Sequence, residues 1–262
     1  MNTSPSVHPG PLSRRPTGLA AIIPAYNEAD SIAETVRAVL ALDGVRRVVV
    51  VDDGSRDATL RRAGEAGAVA VRLPRNVGKG AALEYGVTRL SRFADAGELA
   101  WLFVDADLGS TAANLAPLAA PVLAGEADMT IAILPAQARA GGGRGFVVRL
   151  AREGIRRATG WTATQPLSGM RCLSAEAFAA ARPLAHGWGV ETALTIDVLS
   201  AGFTVLEVPV ELQHRVTGAD WSGQLHRAAQ YRDVARALVV RRLRRATPLR
   251  VLARLPRWRR AG

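Results

Sequence analysis

The sequence predicts an α/β fold: a mixed, mainly parallel sheet flanked by helices, followed by a basic C-terminal helical tail. Three observations lead there. Short apolar runs alternate with stretches of helical periodicity, at a spacing that suits right-handed crossovers between parallel strands. Each of the first four apolar runs ends in a polar cluster, and open parallel sheets take their ligands beyond the strand C-termini. From Arg227 onward, twelve arginines stand against one acid, Asp233, which accounts for the whole net charge of +11 and leaves residues 1–226 neutral.

Residues 1–17 hold prolines, serines and two arginines without periodicity and are expected to form a flexible arm. Leu19 to Ile23 is the first strand, ending at Pro24-Ala25-Tyr26-Asn27-Glu28. Asp30 or Ser31 then caps a helix with Ile32, Val36, Val39 and Leu40 on one face. Val45 to Val51 is a β-branched run ending in Asp52-Asp53-Gly54-Ser55, and Asp57-Ala58-Thr59 opens the next helix. Ala68 to Leu73 is the third strand, after which Asn76-Val77-Gly78-Lys79-Gly80 enters a helix that runs through Leu90. Trp101 to Val104 is the fourth, delivering Asp105-Ala106-Asp107.

Two carboxylates at i and i+2 at the end of a buried strand are costly unless a cation lies between them. Hard oxygen donors suit Mg²⁺ or Mn²⁺ shared with a diphosphate. Alone, the pair reads equally well as a solvated loop with a helix cap; the convergence of four clusters on one sheet edge favours a site. Lys79 is the single lysine among 34 basic residues, so a compact ammonium is kept at one place in a chain that otherwise uses guanidinium. No GxxxxGK[ST] loop is present and no GxGxxG follows the first strand, which excludes a P-loop NTPase and a dinucleotide dehydrogenase. One cysteine, Cys172, builds neither a disulfide framework nor, by itself, a zinc site. No run reaches the roughly 18 to 20 apolar residues of a membrane span, and the N-terminus has no signal-peptide core. A cytoplasmic location is expected, with the tail offering peripheral contact at the inner membrane face.

The clusters Pro24 to Glu28, Val51 to Ser55, Asn76 to Gly80 and Asp105 to Asp107 resemble, in order and spacing, the nucleotide-sugar half of family 2 glycosyltransferases of GT-A (Rossmann-like) fold. The resemblance implies that Pro24, Ala25, Tyr26, Glu28, Asp53 and Lys79, with Asp105 and Ala106, bind the donor. It also implies that Asp107 is catalytic and, with Asp105, holds Mg²⁺ or Mn²⁺. Farther on, Gly141-Gly142-Gly143-Arg144-Gly145, Gln165-Pro166-Leu167-Ser168-Gly169 and Gly187-Trp188-Gly189-Val190-Glu191 resemble the glucosyl-3-phosphoglycerate synthases. Polyprenyl-phosphate glycosyltransferases share a looser version. By this resemblance Gly143, Arg144, Ser168, Gly169 and Glu191 bind the acceptor, Arg144 and Glu191 take part in catalysis, and His214 is a third metal ligand. Glycine amides with one guanidinium suit a phosphate. Phe146-Val147 stand where those synthases carry a hydroxyl residue after the arginine.

Leu225, Ala229, Val234, Leu238 and Leu243 recur at helical spacing among arginines, Pro248 interrupts them, and Leu249 to Trp258 resumes the pattern. Such a stretch reads as a membrane-surface helix or a partner-binding helix, with a solvated tail as the open alternative. No nucleic-acid module accompanies the charge, so nucleic acid is not an expected partner. The expected organisation is an arm (1–17), a GT-A domain (18–224, divided at 110/111 into nucleotide-sugar and acceptor halves) and a tail (225–262). The expected activity is metal-dependent transfer from a nucleoside-diphosphate sugar, UDP-glucose favoured, to a small phosphorylated acceptor. A polyprenyl-phosphate glycosyltransferase at an anionic membrane surface and a non-catalytic nucleotide-sugar or nucleic-acid binding protein remain alternatives, and a homodimer is left open.

Overall fold

The computed structural model of the chain describes residues 14–93, 95–135, 144–212 and 222–246. From the N-terminus run β1 (Gly18–Ala25), α1 (Ile32–Leu40), β2 (Val45–Asp52), α2 (Thr59–Glu65), β3 (Val69–Arg72), α3 (Lys79–Leu90) and β4 (Leu99–Phe103). The second half adds α4 (Ala116–Leu123), β5 (Met129–Ile133), α5 (Arg144–Thr159), β6 (Arg171–Leu173), α6 (Ala175–Ala181), α7 (Val190–Ser200), β7 (Val205–Pro209) and α8 (Ser222–Ala246). The strands form one seven-stranded sheet in the order β3-β2-β1-β4-β6-β5-β7. β1 pairs in parallel with β2 and β4, β2 with β3, and β5 with β7. Only β6 runs antiparallel to its neighbours, between β4 and β5. The mixed, mainly parallel sheet expected from the sequence is the one observed.

Alternate residues of β1 serve opposite faces of the sheet, as strand geometry requires. Leu19, Ala21 and Ile23 pack with Ile32, Val36 and Val39 of α1 and Leu118 and Val122 of α4. Ala20 and Ile22 pack with Leu83, Val87 and Leu90 of α3 and Leu194 and Val198 of α7. Helices on both faces explain why the strands read as unbroken apolar runs. Each fully buried aliphatic side chain contributes about 1.5–3 kcal/mol. On α1, Leu40 is 37% exposed rather than buried, and Thr35 takes an inward position because its hydroxyl is used by the loop after β4. β7 is shorter than the expected strand from Phe203 to Leu212, since its single neighbour β5 ends at the Ile133–Pro209 pair. Of the expected arm, residues 1–13 lie outside the described residues; the Thr17 N–H donates to the Glu98 carbonyl at 2.7 Å and extends the pairing of β1 with β4.

α8 docks on the acceptor half. Val234 packs with Val147 and Ala151, and Leu238 bridges that group to the cluster of Ile155, Ala163 and Ile196. Ala237 meets Ala185 and Ala193. Arg241, 5% exposed, grips the Asp197 carboxylate of α7 at 2.6 Å and 3.1 Å. The other side of α8 is exposed and carries Arg232, Arg236, Val239 and Leu243. The expected boundary at 224/225 falls inside this helix, and residues 247–262 lie outside the described residues.

Candidate active site

Four loops at the carboxyl ends of β1 to β4 form one continuous edge, and side chains lock neighbouring loops together. Asn27 turns the chain after β1 with φ 56°, a left-handed conformation that asparagine tolerates. Its N–H donates to the Ser55 hydroxyl at 2.9 Å, and its side-chain oxygen accepts from the Arg56 N–H at 2.9 Å. Asp53, 4% exposed, accepts from the N–H groups of Val77 and Gly78, both at 2.8 Å. These two bonds hold the loop that leads into α3 against the end of β2, where Asp53 is expected to meet the donor. Thr35 of α1 donates to the Ala106 carbonyl at 3.0 Å and accepts from the Gly109 N–H at 2.9 Å, so the Asp105-Ala106-Asp107 loop is fixed from beneath.

Lys79, the first residue of α3, is the centre of the site. Its ammonium lies 2.7 Å from Asp105 Oδ1 and 3.2 Å from Glu191 Oε1. Burial pushes this ammonium down, but the charges of Asp105 and Glu191 more than offset that and hold it above the usual lysine value. Glu191 is 8% exposed in the first turn of α7, so one cation ties the end of β4 to the acceptor half. Gly169 lies against this pair; a Cβ there would collide with the Lys79 ammonium and come within 2.8 Å of Asp105 Oδ1. A glycine lets the backbone approach the ion pair this closely; a larger residue would displace the ammonium.

A cleft of about 370 Å³ opens beside the cluster. Its lining includes Lys79, Asp105 and Glu191, the turn from Gln165 to Gly169, and Val147, Val148 and Trp188. Ser168 is 7% exposed, and its hydroxyl has no hydrogen-bond partner among the described residues. A buried hydroxyl at the wall of a cleft is suited to a ligand.

The structure therefore brings together Lys79, Asp105, Ser168, Gly169 and Glu191. Pro24 and Ala25 are the last two residues of β1, and Tyr26, Glu28 and Ala106 lie on the adjoining loops of the same edge, with Tyr26 44% exposed and the Glu28 carboxylate accepting from the Ser31 hydroxyl at 3.1 Å. Asp107 is half-buried on the loop that Thr35 anchors. Asp105 and Asp107 supply hard oxygen donors on one short, fixed loop, a set that suits Mg²⁺ or Mn²⁺ shared with phosphate oxygens. Among the described residues no three acidic, histidine or cysteine side chains converge on a metal site. His214 and Gly143 lie outside the described residues, and Arg144 is described only as the first residue of α5. Thr35, Arg152, Arg171 and Glu207, each holding a loop of the site, were not singled out from the sequence. A charged residue between Met170 and Cys172, directly after the Ser-Gly turn, was the available sign for Arg171.

A sheet of this order, with carboxylates and one lysine gathered at its parallel edge, defines a GT-A type protein. The chain belongs to glycosyl transferase family 2, whose sequence profile matches residues 20–179. It is similar to a crystal structure of glucosyl-3-phosphoglycerate synthase from Mycobacterium tuberculosis in complex with Mn²⁺, UDP and phosphoglyceric acid. That match has a TM-score of 0.69 at 28% identity, covering 86% of this chain and 78% of that one. A structure of the same enzyme with Mn²⁺, UDP-glucose and phosphoglyceric acid matches with a TM-score of 0.66 at 29% identity, over 86% of this chain and 79% of that one. Glycosyltransferase AglJ of Haloferax volcanii is 29% identical over 212 residues, which are 78% of this chain. The chain spans 66% of AglJ's length, slightly under two thirds.

Proposed function

We propose that this protein transfers a hexose, glucose favoured, from a UDP-linked donor to a small phosphorylated acceptor, as the glucosyl-3-phosphoglycerate synthases do. The observation that carries the reading is Lys79 held between Asp105 and Glu191 with the Gly169 backbone against it, which joins the donor edge to the acceptor wall. The synthase structures with Mn²⁺, UDP-glucose and phosphoglyceric acid support the choice of substrates.

In this reading the loops after β1 and β2 receive the nucleoside, and Asp107 with Asp105 and His214 holds Mg²⁺ or Mn²⁺. The cation, when bound, supplies Lewis-acid stabilisation of charge developing on the leaving diphosphate. Lys79 offsets the Asp105 and Glu191 charges, so that an anionic donor can approach a wall that would otherwise repel it. Glu191 and the Ser168 hydroxyl orient sugar or acceptor hydroxyls across the cleft, while Gly143 and Arg144 receive the acceptor's phosphate. Turnover of UDP-glucose with 3-phosphoglycerate and Mn²⁺, with the product anomer read by NMR, tests the proposal. Absence of transfer to any phosphorylated acceptor across a donor panel would overturn it.

A second reading is favoured by α8, whose exposed side combines Arg232 and Arg236 with Val239 and Leu243. Such a face suits an anionic lipid surface and, with it, a lipid-phosphate acceptor. Flotation with anionic liposomes distinguishes the two. The lipid reading predicts binding that weakens when Arg232 and Arg236 are changed to Gln; the small-acceptor reading predicts no flotation.

A further inference from the structure

The turn over residues 163–169 is held by hydrogen bonds from four directions. Arg152 of α5 donates from Nε to the Ala163 carbonyl and from Nη2 to the Thr164 carbonyl, both at 2.8 Å. The Glu207 carboxylate of β7 accepts from the N–H groups of Thr164 and Gln165 at 2.8 Å. The Gln165 amide pairs with the backbone of Leu134, accepting from its N–H at 3.1 Å and donating to its carbonyl at 2.7 Å. The innermost support is Arg171 of β6, 1% exposed, which donates from Nε to the Ser168 carbonyl at 3.0 Å and from Nη2 to the Pro166 carbonyl at 3.4 Å. Its Nη1 reaches the Thr195 hydroxyl of α7 at 2.8 Å, and that hydroxyl donates to the Glu191 carbonyl at 2.9 Å.

The oxygens that accept hydrogen bonds from Arg171 are all neutral. Burial pulls the guanidinium down to about 10, the negative charges of Glu191 and Glu207 offset part of that, and it stays charged at neutral pH. A packed apolar side chain would serve a core better. The guanidinium instead offers a rigid planar fork of donors, which a lysine at the same place does not. The fork spans two parts that must stand at a set distance: the turn carrying Ser168 and Gly169, and the first turn of α7 carrying Glu191. Both close on Lys79.

We propose that Arg171 is the positioning residue of this site, a buried strut that sets the 165–169 turn and Glu191 against Lys79 and Asp105. The proposal rests on the transferase reading for its kinetic consequence only. Its structural consequence is readable separately, because Lys79 is the only lysine in the chain and ¹⁵N-lysine labelling yields one ammonium signal.

The test compares wild type with Arg171→Met, Arg171→Lys and Thr195→Val in the full chain, the last removing only the link to α7. Three readouts are taken: the Lys79 ammonium signal, Mn²⁺–UDP affinity by calorimetry, and turnover of UDP-glucose with 3-phosphoglycerate. Both Arg171 variants should shift and broaden the ammonium signal, lower kcat about a hundredfold and leave UDP affinity within threefold of wild type, with lysine failing to rescue. Thr195→Val should give a smaller shift and about a tenfold loss of kcat at unchanged UDP affinity. An unchanged ammonium signal in Thr195→Val and in whichever Arg171 variants fold overturns the proposal. So does rescue of kcat by lysine, or UDP affinity falling in step with kcat. Wild type that shows the protected ammonium but no turnover overturns the transferase reading instead, and the NMR comparison still decides the role of Arg171.

Discussion

The two halves of the site are held in different ways. On the nucleotide-sugar side, each loop after β1, β2 and β4 is short, follows directly from its strand and is tied to the loop or helix beside it: Asn27 to Ser55, Asp53 to Val77 and Gly78, Thr35 to Ala106 and Gly109. On the acceptor side, the 163–169 turn is held by side chains from α5, β6 and β7 and by the backbone of Leu134 just after β5. The first arrangement is largely a property of the parallel strands, whose C-termini meet at one edge. The second exists only once the whole half has packed, and depends on buried charges in fixed positions. Lys79 belongs to both, and the comparison can be broken there or on either side of it.

The largest effect is expected on the nucleotide side. Asp107→Ala should lower turnover by roughly 10³-fold in a protein that still folds, because the loop remains anchored by Thr35. Lys79→Met should cost roughly 10²-fold and, unlike any acceptor-side change, should weaken both UDP affinity and turnover. Its pH signature follows from the raised value of the ammonium. The ion pair's contribution to stability is fully present below the ordinary lysine value of 10.5 and is lost as pH rises through the higher folded value. The gap in melting temperature between wild type and Lys79→Met should therefore stay constant from pH 7 to pH 10 and shrink only above that.

Gly169→Ala probes the junction from the other side by crowding Lys79 and Asp105. Turnover should fall by some tens of fold, with UDP affinity little changed. The smallest effect is expected for Glu207→Gln, which weakens one of several supports of the turn. A loss of about threefold to tenfold in kcat, at unchanged UDP affinity, would match a shared clamp; a loss as large as that of Lys79→Met would show that the acceptor side hangs on a single contact.

This difference also explains what could be read from the sequence. Each nucleotide-side motif is an apolar run followed at once by its polar cluster, so strand, loop and chemistry are adjacent in the chain. Pro24 to Glu28, Asp52 to Ser55, Asn76 to Gly80 and Asp105 to Asp107 were all legible for that reason. The bonds that Asp53 accepts from the N–H groups of Val77 and Gly78 were not, since they depend on how two loops meet. The turn at Gln165 to Gly169 was visible as a motif, whereas Arg152, Arg171 and Glu207 were not. Glu207 sits in an alternating strand, where it passes for a solvent-facing residue, and Arg171 follows the turn in a three-residue strand with no periodicity of its own. Likewise the basic spacing of residues 225–243 marks a helix, but only packing separates Arg241, buried on Asp197, from Arg232 and Arg236 on the exposed side.

The central claim is that Lys79, Asp105 and Glu191 join a donor edge and an acceptor wall into one transfer site. The most direct measurement is acceptor-dependent release of UDP from UDP-glucose in the presence of Mn²⁺, taken on wild type and on Glu191→Ala. The account predicts UDP release that rises with 3-phosphoglycerate in wild type and is lost in the variant, while both bind Mn²⁺–UDP. Acceptor-dependent release that is undiminished in Glu191→Ala would contradict it.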